Sequence, residues 1–264
     1  MSNSIAVQQK RFIQLAPSNN SSTGYGPVGS QPIIRFSVAD TQALALLKDA
    51  RLNATVTVTS NSTAVTLDKD INIDPVLGMC AVMDQVIVSS RRFGTQIEQV
   101  VNLGRLESAY YRSRYSPKMM ASHAYHETKA VGLGRYNRWA GTTVNTSQTT
   151  DLRAVAARKS IAKSQEISLP FHVGMFLTDS PTDLSAVGGL ELAIYLQKPE
   201  AMFFGADAAD MNYTLTNVSL TVPLIYKSSD MIAQTPPESV IEFLNWTSMY
   251  SVLDSTQSSI AQRL

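Results

Sequence analysis

The chain has 264 residues, of which 44% are hydrophobic and 16% charged, and its 22 basic side chains nearly balance its 21 acidic ones. This length suits one large all-β domain or two modest domains with a self-supporting core, and the composition excludes a disordered or collagen-like chain. The charged fraction lies below the roughly 25% typical of soluble domains. We therefore expect a surface that is largely neutral or packed against other chains.

Cysteine usage and hydropathy bear on the compartment. A lone cysteine, Cys80, cannot form an intrachain disulfide, which favours a reducing, intracellular site of synthesis. The first residues lack the basic and apolar regions of a signal peptide, and no window approaches the roughly 18 apolar residues of a membrane-spanning helix. We expect no secretion signal and no transmembrane segment.

The first third of the chain predicts an arm followed by short strands. Residues 1–32 are polar and rich in Pro and Gly, which predicts an extended N-terminal arm, with a frayed terminus as the alternative. Strands are predicted at Ile33–Val38 and from Asn53, where apolar and polar side chains alternate. Between these strands, Asp40 is placed to cap a short helix that ends at Ala50.

The middle of the chain predicts one strand, one helix and one long loop. Ala81–Val88 is a mostly apolar strand. Thr95 and Glu98 have the spacing of a capping box, which predicts that a helix starts there. Residues 112–164 show no periodicity over a length far beyond ordinary connections, which indicates a long inserted loop.

The second half has the clearest strand patterns. Apolar side chains occupy the odd positions of 166–177, and Pro170 within that run must lie at a sheet edge or a bulge because it has no N–H to donate. Leu190–Leu196 alternates in the same way. In Met211–Tyr226 the apolar phase slips near Asn217, which predicts a β-bulge.

These patterns together predict an all-β fold, an eight-stranded antiparallel jelly-roll sandwich with one or two short helices and a long inserted loop. An immunoglobulin-like sandwich stays open, since the sequence does not reveal strand order. The predicted domains are the arm 1–32, the roll 33–227 and a C-terminal tail or connector 228–264. The predicted strand starts are Ile33, Asn53, Ala64, Ala81, Glu166, Leu190, Ala201 and Met211.

The sequence offers no catalytic or metal-binding constellation, so we predict no enzyme activity and no cofactor. His123 and His126 form the one histidine cluster, and only His172 and Cys80 are available as further ligands, whereas zinc normally takes three or four protein ligands. Gly132–Arg135 lacks the glycine pattern of a dinucleotide loop, and neither a Walker A motif nor a nucleophile elbow occurs.

Charge is distributed unevenly along the chain. Residues 91–163 carry thirteen Lys or Arg and four acids, a net charge of +9, whereas the remainder carries −8. Tyr and Trp lie among these cations, and this composition favours a subunit interface over a solvated loop, with nucleic acid as the third hypothesis. The candidate interface residues in this stretch are Arg112, Arg114, Tyr115, Arg135, Tyr136, Arg138 and Trp139.

Several segments, taken in order, resemble one family. After the polar arm come Pro32–Phe36 and Gly78–Leu106, and beyond the insertion come Ile167–Pro170 and Gly188–Leu192. This order resembles the jelly-roll capsid proteins of double-stranded DNA viruses of the polinton-like, virophage and nucleocytoplasmic large DNA virus lineage.

The resemblance implies a capsid protein that assembles into an icosahedral shell, made in the host cytoplasm or nucleus and located in the virion. The implied partners are other capsid subunits, as a trimer or pentamer of this chain or with a second capsid chain. Length favours the single-roll penton protein. However, Trp246–Ser255 resembles the connector to the second roll of a major capsid protein, so we favour a major-capsid-like first roll and include Trp246 among the interface candidates.

A carbohydrate- or receptor-binding jelly-roll module is the alternative function, because one sandwich fold supports many functions. Such a module is expected to be a monomer or small oligomer with an exposed aromatic platform or calcium-binding carboxylates. A capsid subunit is instead expected to bury much of its surface in symmetric contacts.

Overall fold

The computed structural model describes residues 10–28, 30–60, 72–73, 77–114, 164–204, 209, 211–227 and 243. The strands are β1 (Lys10–Leu15), β2 (Ile33–Val38), β3 (Ala43–Ala45), β4 (Arg51–Ser60), β5 (Asn72–Ile73), β6 (Met83–Ser90), β7 (Gln96–Val100), β8 (Ser164–Pro170), β9 (Thr182–Asp183), β10 (Leu190–Leu196), β11 (Phe203–Phe204) and β12 (Met211–Tyr226). The helices are α1 (Leu103–Arg114), α2 (Leu184–Val187) and α3 (Pro199–Met202), and the short 3-10 turns are η1 (Leu47–Asp49), η2 (Gly78–Val82) and η3 (Gly174–Leu177).

Period-two alternation explains the core of the sandwich. Every second side chain of β10 is buried, and β2 and β4 bury alternate apolar side chains in the same way. β12 changes phase at Asn217, which adopts a left-handed φ of 50° where the register against β4 shifts between Thr216 and Ser219. The predicted β-bulge is therefore confirmed.

Two antiparallel sheets form the sandwich. In the first sheet, β12 pairs with β1 along one edge and with β4 and β3 along the other edge. β8 pairs with β4, and β9 pairs with β3. The second has the order β2–β10–β6–β7. A separate two-stranded ribbon joins β5 to β11.

Strand order identifies the fold. β3 and β4 pair with successive parts of β12, so together they count as one interrupted strand. β9 pairs with β3 and β8 pairs with β4, so β8 and β9 likewise count as one interrupted strand. Eight strands then pair first with eighth (β1 with β12), second with seventh (β2 with β10), third with sixth (β4 with β8) and fourth with fifth (β6 with β7). A long hairpin rolled into two sheets has this nesting, so the predicted jelly roll is confirmed.

The first strand lies inside the segment predicted as an arm. Lys10–Leu15 pairs along β12 with Ile13 opposite Val222, and further along the same segment Tyr25 is buried and bridges to Leu215. Residues 10–15 are thus a packed strand rather than a free arm. The strand lacks a clear sequence signal because only Ile13 and Leu15 are even partly buried.

The predicted elements at 40–50 and 166–177 are wrong in type and in length, respectively. Residues 40–50 form β3 and the turn η1 instead of a helix, and the Asp40 carboxylate accepts a hydrogen bond from the N–H of Gln42 at 3.0 Å. The run 166–177 is a strand only as far as Pro170, because the backbone then turns into η3. Pro170 does end a strand at the sheet edge, as predicted.

Of the two minor predicted strands, the Ala64 strand lies outside the described residues. Near Ala201 the chain forms α3 before the two-residue strand β11. The helix α1 continues to Arg114, and β8 starts at Ser164, so most of the predicted inserted loop also lies outside the described residues.

The helix predicted from the Thr95 and Glu98 spacing is instead strand β7, and α1 starts only at Leu103. Glu98 points inward and is 2% exposed. Its carboxylate accepts hydrogen bonds from the N–H groups of Gly174 at 2.8 Å and Met175 at 3.0 Å, at the start of η3. Glu98 therefore joins the edge of the second sheet to the segment that follows the edge of the first.

An ion pair fastens the end of β12 to β9. The Lys227 ammonium lies 2.5 Å from the Asp183 carboxylate, which also caps α2 by accepting from the N–H and hydroxyl of Ser185. Burial acts to raise the pKa of Asp183, but the hydrogen bonds from Lys227 and Ser185 outweigh it and hold that pKa below its ordinary value of 3.8.

Replacing Glu98 by Ala is predicted to lower the free energy of unfolding by roughly 3 kcal/mol, because two backbone N–H groups lose a charged acceptor in a buried site. The neighbouring exposed Gln96 provides the control, since Gln96→Ala should change stability by no more than about 0.5 kcal/mol. Urea unfolding monitored by circular dichroism measures both. Similar small losses for the two variants would contradict the role of Glu98.

Asp183→Asn is predicted to reduce the sensitivity of the fold to acid. Because the folded-state pKa of Asp183 is lowered, its contribution to stability is present above its unfolded pKa of about 4 and is lost as the pH falls through the folded value. The stability difference between wild type and Asp183→Asn should thus be largest near neutral pH and vanish in strong acid. Urea unfolding across that range, with exposed Glu166→Gln as control, measures it; a difference that grows in acid would contradict the assignment.

Candidate functional site

Three segments that lie wholly or mostly outside the described residues, 61–76, 115–163 and 205–210, each adjoin a strand at the same end of the first sheet. We call this end the loop end. Ser60, the last residue of β4, is paired with Met211, the first residue of β12. Ser164, the first residue of β8, is paired with Thr57, near the same end of β4. The segments that follow Ser60, precede Ser164 and precede Met211 therefore attach to the same end of the first sheet.

The segment that enters at Ser164 is the basic one. Residues 115–163 carry eight Lys or Arg and two acids. This segment, with most of the excess positive charge of the chain, joins the first sheet at the loop end through Ser164. The loop end is consequently the strongest candidate for contact with a partner.

The structure describes only two of the predicted interface residues. Arg112 and Arg114 lie in the last turn of α1, which leads into the basic segment. The remaining candidates lie outside the described residues, as do His123 and His126; these candidates are Tyr115, Arg135, Tyr136, Arg138, Trp139 and Trp246. Their grouping into one surface stays a prediction.

A buried polar pair anchors α1 beside the chain that leaves β8. Oε1 of Glu107 lies 3.2 Å from Nδ1 of His172, and the two side chains are 0% and 4% exposed. The rings of Tyr110 and Tyr111 pack on the imidazole with centroid distances of 5.0 and 4.8 Å. The Tyr111 hydroxyl in turn lies 3.9 Å from Sγ of Cys80.

This pair holds the middle of α1 against the segment that follows β8. Among the described residues, the second carboxylate oxygen of Glu107 has no hydrogen-bond partner. Because both side chains of the pair are closed off from solvent, the pair holds α1 in place rather than presenting a reactive group. α1 thereby sets the position from which the chain enters the basic segment.

The pair of Glu107 and His172 was not predicted from the sequence. The two residues are 65 positions apart, so no local motif contains both. A signal was nevertheless present, because Leu103, Glu107 and Tyr111 follow each other at intervals of four along one face of α1, and all three are buried. An acid in the middle of such a stripe predicts a buried polar partner.

Two other types of site are absent from the described ranges. There, no three His, Cys, Asp or Glu side chains are grouped so that they could hold a metal ion. No helix in those ranges is long and apolar enough to cross a membrane.

Comparison by sequence finds no relative, since no protein-family model and no curated protein matches the chain. Comparison by structure does find similar folds. The Faustovirus major capsid protein matches with a TM-score of 0.52 and 7% identity, over 87% of this chain and 56% of that protein. A chain of the Sputnik virophage structure matches with a TM-score of 0.50 and 11% identity, over 87% of this chain and 49% of that one.

A chain from the capsid of the virus PBCV-1 matches with a TM-score of 0.44 and 11% identity, over 84% of this chain and 43% of that one. This chain thus spans about half the length of the chains it matches. With the nested strand pairing, the Faustovirus and Sputnik matches lead to one conclusion: the chain is a jelly roll that shares its fold with the Faustovirus major capsid protein and the Sputnik virophage chain.

Proposed function

We propose that the chain is a structural subunit of a viral capsid, a jelly roll that assembles with other capsid subunits into the shell of a double-stranded DNA virus. The observation that carries this proposal is the likeness to the Faustovirus major capsid protein, with a TM-score of 0.52 over 87% of this chain. The proposed location is the virion, with synthesis in the host cytoplasm or nucleus.

The physical properties of the roll suit this role. Two sheets that bury apolar side chains between them form a rigid body, which can be tiled without changing shape. Symmetric contacts around an axis then convert individually weak interfaces into a closed shell. A structural subunit of this kind needs no catalytic group, and the proposal includes none.

The loop end supplies the proposed contact surface. Residues 115–163 concentrate positive charge, and the remainder of the chain outside 91–163 carries a net charge of −8. One copy can therefore attract another through opposite charges. We place Arg112, Arg114 and Arg135 in this contact, and we propose that the roll begins with β1 and is followed by a tail or connector over 228–264.

Assembly of the purified full chain tests the function. Native mass spectrometry should show trimers, the expectation for a major-capsid-like roll, whereas pentamers would favour the vertex protein and still support a capsid role. A monomer at all accessible concentrations would contradict the proposal. Sugar binding by such a monomer, measured on a glycan array, would favour the carbohydrate-binding alternative.

Changing Arg112, Arg114 and Arg135 together to Glu is predicted to reduce assembly at least tenfold while leaving the roll folded, because a basic contact becomes an acidic one. The matched control changes three exposed cations elsewhere, Arg35, Arg105 and Lys198, to Glu. Sedimentation velocity measures assembly, and thermal unfolding verifies the fold. Normal assembly of the first variant, or equal loss in both, would remove the three arginines from the contact.

A further inference from the structure

A second surface feature lies at the end of the sandwich opposite the loop end. It is an open cleft of about 670 Å³ between the turn that joins β6 to β7 and the turn that joins α2 to β10. The lining residues described are Thr41, Arg91, Arg92, Ser185, Gly188 and Glu191. The volume is within the range of about 300–1,000 Å³ that is usual for binding clefts.

The two guanidinium groups of the cleft are not neutralised by the part of the chain that the structure describes. In that part, neither Arg91 nor Arg92 forms an ion pair with an acid, and Glu191, which also lines the cleft, forms none either. The Arg92 guanidinium lies 5.5 Å from the ring of Phe93, which is 62% exposed. The cleft therefore offers unused donors beside an exposed apolar ring.

Close backbone packing fixes the turn that carries the arginines. Gly188 has a φ of +68°, and a Cβ at this position would lie 2.4 Å from Cβ of Arg92. The N–H of Arg91 donates to the carbonyl oxygen of Gly189 at 3.0 Å. The two turns thus pack directly on each other, so the cleft exists before any ligand arrives and less ordering entropy is lost on binding.

The lining selects one ligand chemistry. Guanidinium groups bind carboxylates and phosphates through paired hydrogen bonds. Glu191 repels a dense row of phosphates, whereas it can accept hydrogen bonds from the N–H groups of a peptide. Phe93 adds an apolar contact at the edge. A carboxylate side chain carried on a peptide segment fits these features better than a nucleic acid.

We infer that this cleft binds an acidic segment of a second copy of the chain. Charge complementarity identifies the partner, because Arg91 and Arg92 open the basic stretch 91–163 and the rest of the chain carries a net charge of −8. The inference rests on the proposed capsid function, since it requires that copies of the chain assemble. It adds a contact at the end of the sandwich opposite Ser164, where β8 begins.

Charge reversal in the full chain tests the inference. Arg91→Glu with Arg92→Glu should weaken self-association at least tenfold in sedimentation velocity. The matched control, Arg35→Glu with Lys198→Glu, makes the same charge change at exposed positions outside the cleft and should leave association within about twofold of wild type. Equal association of the cleft variant and wild type, or equal loss in the control, would overturn the inference and leave the capsid proposal intact. A monomeric wild type would overturn both.

A milder variant covers the case in which charge reversal disturbs folding, which thermal unfolding detects. Arg91→Gln with Arg92→Gln removes the charges while keeping polar side chains of moderate length, and it should weaken association in the same direction. Binding of a short DNA duplex, followed by fluorescence anisotropy, is measured in parallel. If the Gln variant loses DNA binding but retains self-association, the cleft is a nucleic-acid site and the inference is wrong.

Discussion

The nested pairing of eight strands is the constraint on which the rest of the structure depends. Each strand is paired with the one that mirrors it about the middle of the chain, from β6 with β7 at the centre to β1 with β12 at the outside. Because the strands alternate inward and outward side chains, this order places two apolar faces against each other. Without the outermost pair, the long strand β12 would have an open edge.

That arrangement also decides which parts of the chain can reach a partner. The described connections lie at the two ends of the sandwich: Ser164, which follows the basic segment in sequence, begins β8 at the loop end, and the arginine cleft lies at the other end. Buried polar contacts hold the connecting pieces, since Glu98 binds the start of η3 and Glu107 lies against His172. A rigid body with charged features at both ends suits a subunit that contacts neighbours on more than one side.

The sequence predicted the elements whose alternation is strong, such as Leu190–Leu196 and the bulge at Asn217. It did not predict β1, whose side chains are mostly exposed, or β7, where Glu98 imitates a helix cap but binds a distant backbone. Long-range partners of this kind leave no local pattern. The charge asymmetry was visible in the sequence because it depends only on residue counts. The cleft at Arg91 and Arg92 was not visible, because it depends on the distant turn at Gly188 lying beside them.

Disulfide trapping across the outermost strand pair tests the nested pairing most directly. Ile13 lies opposite Val222, so cysteines at these two positions should crosslink within one chain under mild oxidation. The offset pair of cysteines at Ile13 and Thr221 points to opposite faces and should not crosslink. A rapid intrachain disulfide in the first variant alone is the result that the jelly roll predicts. Failure of the first pair, or equal crosslinking in both, would contradict the closure of the sandwich by β1.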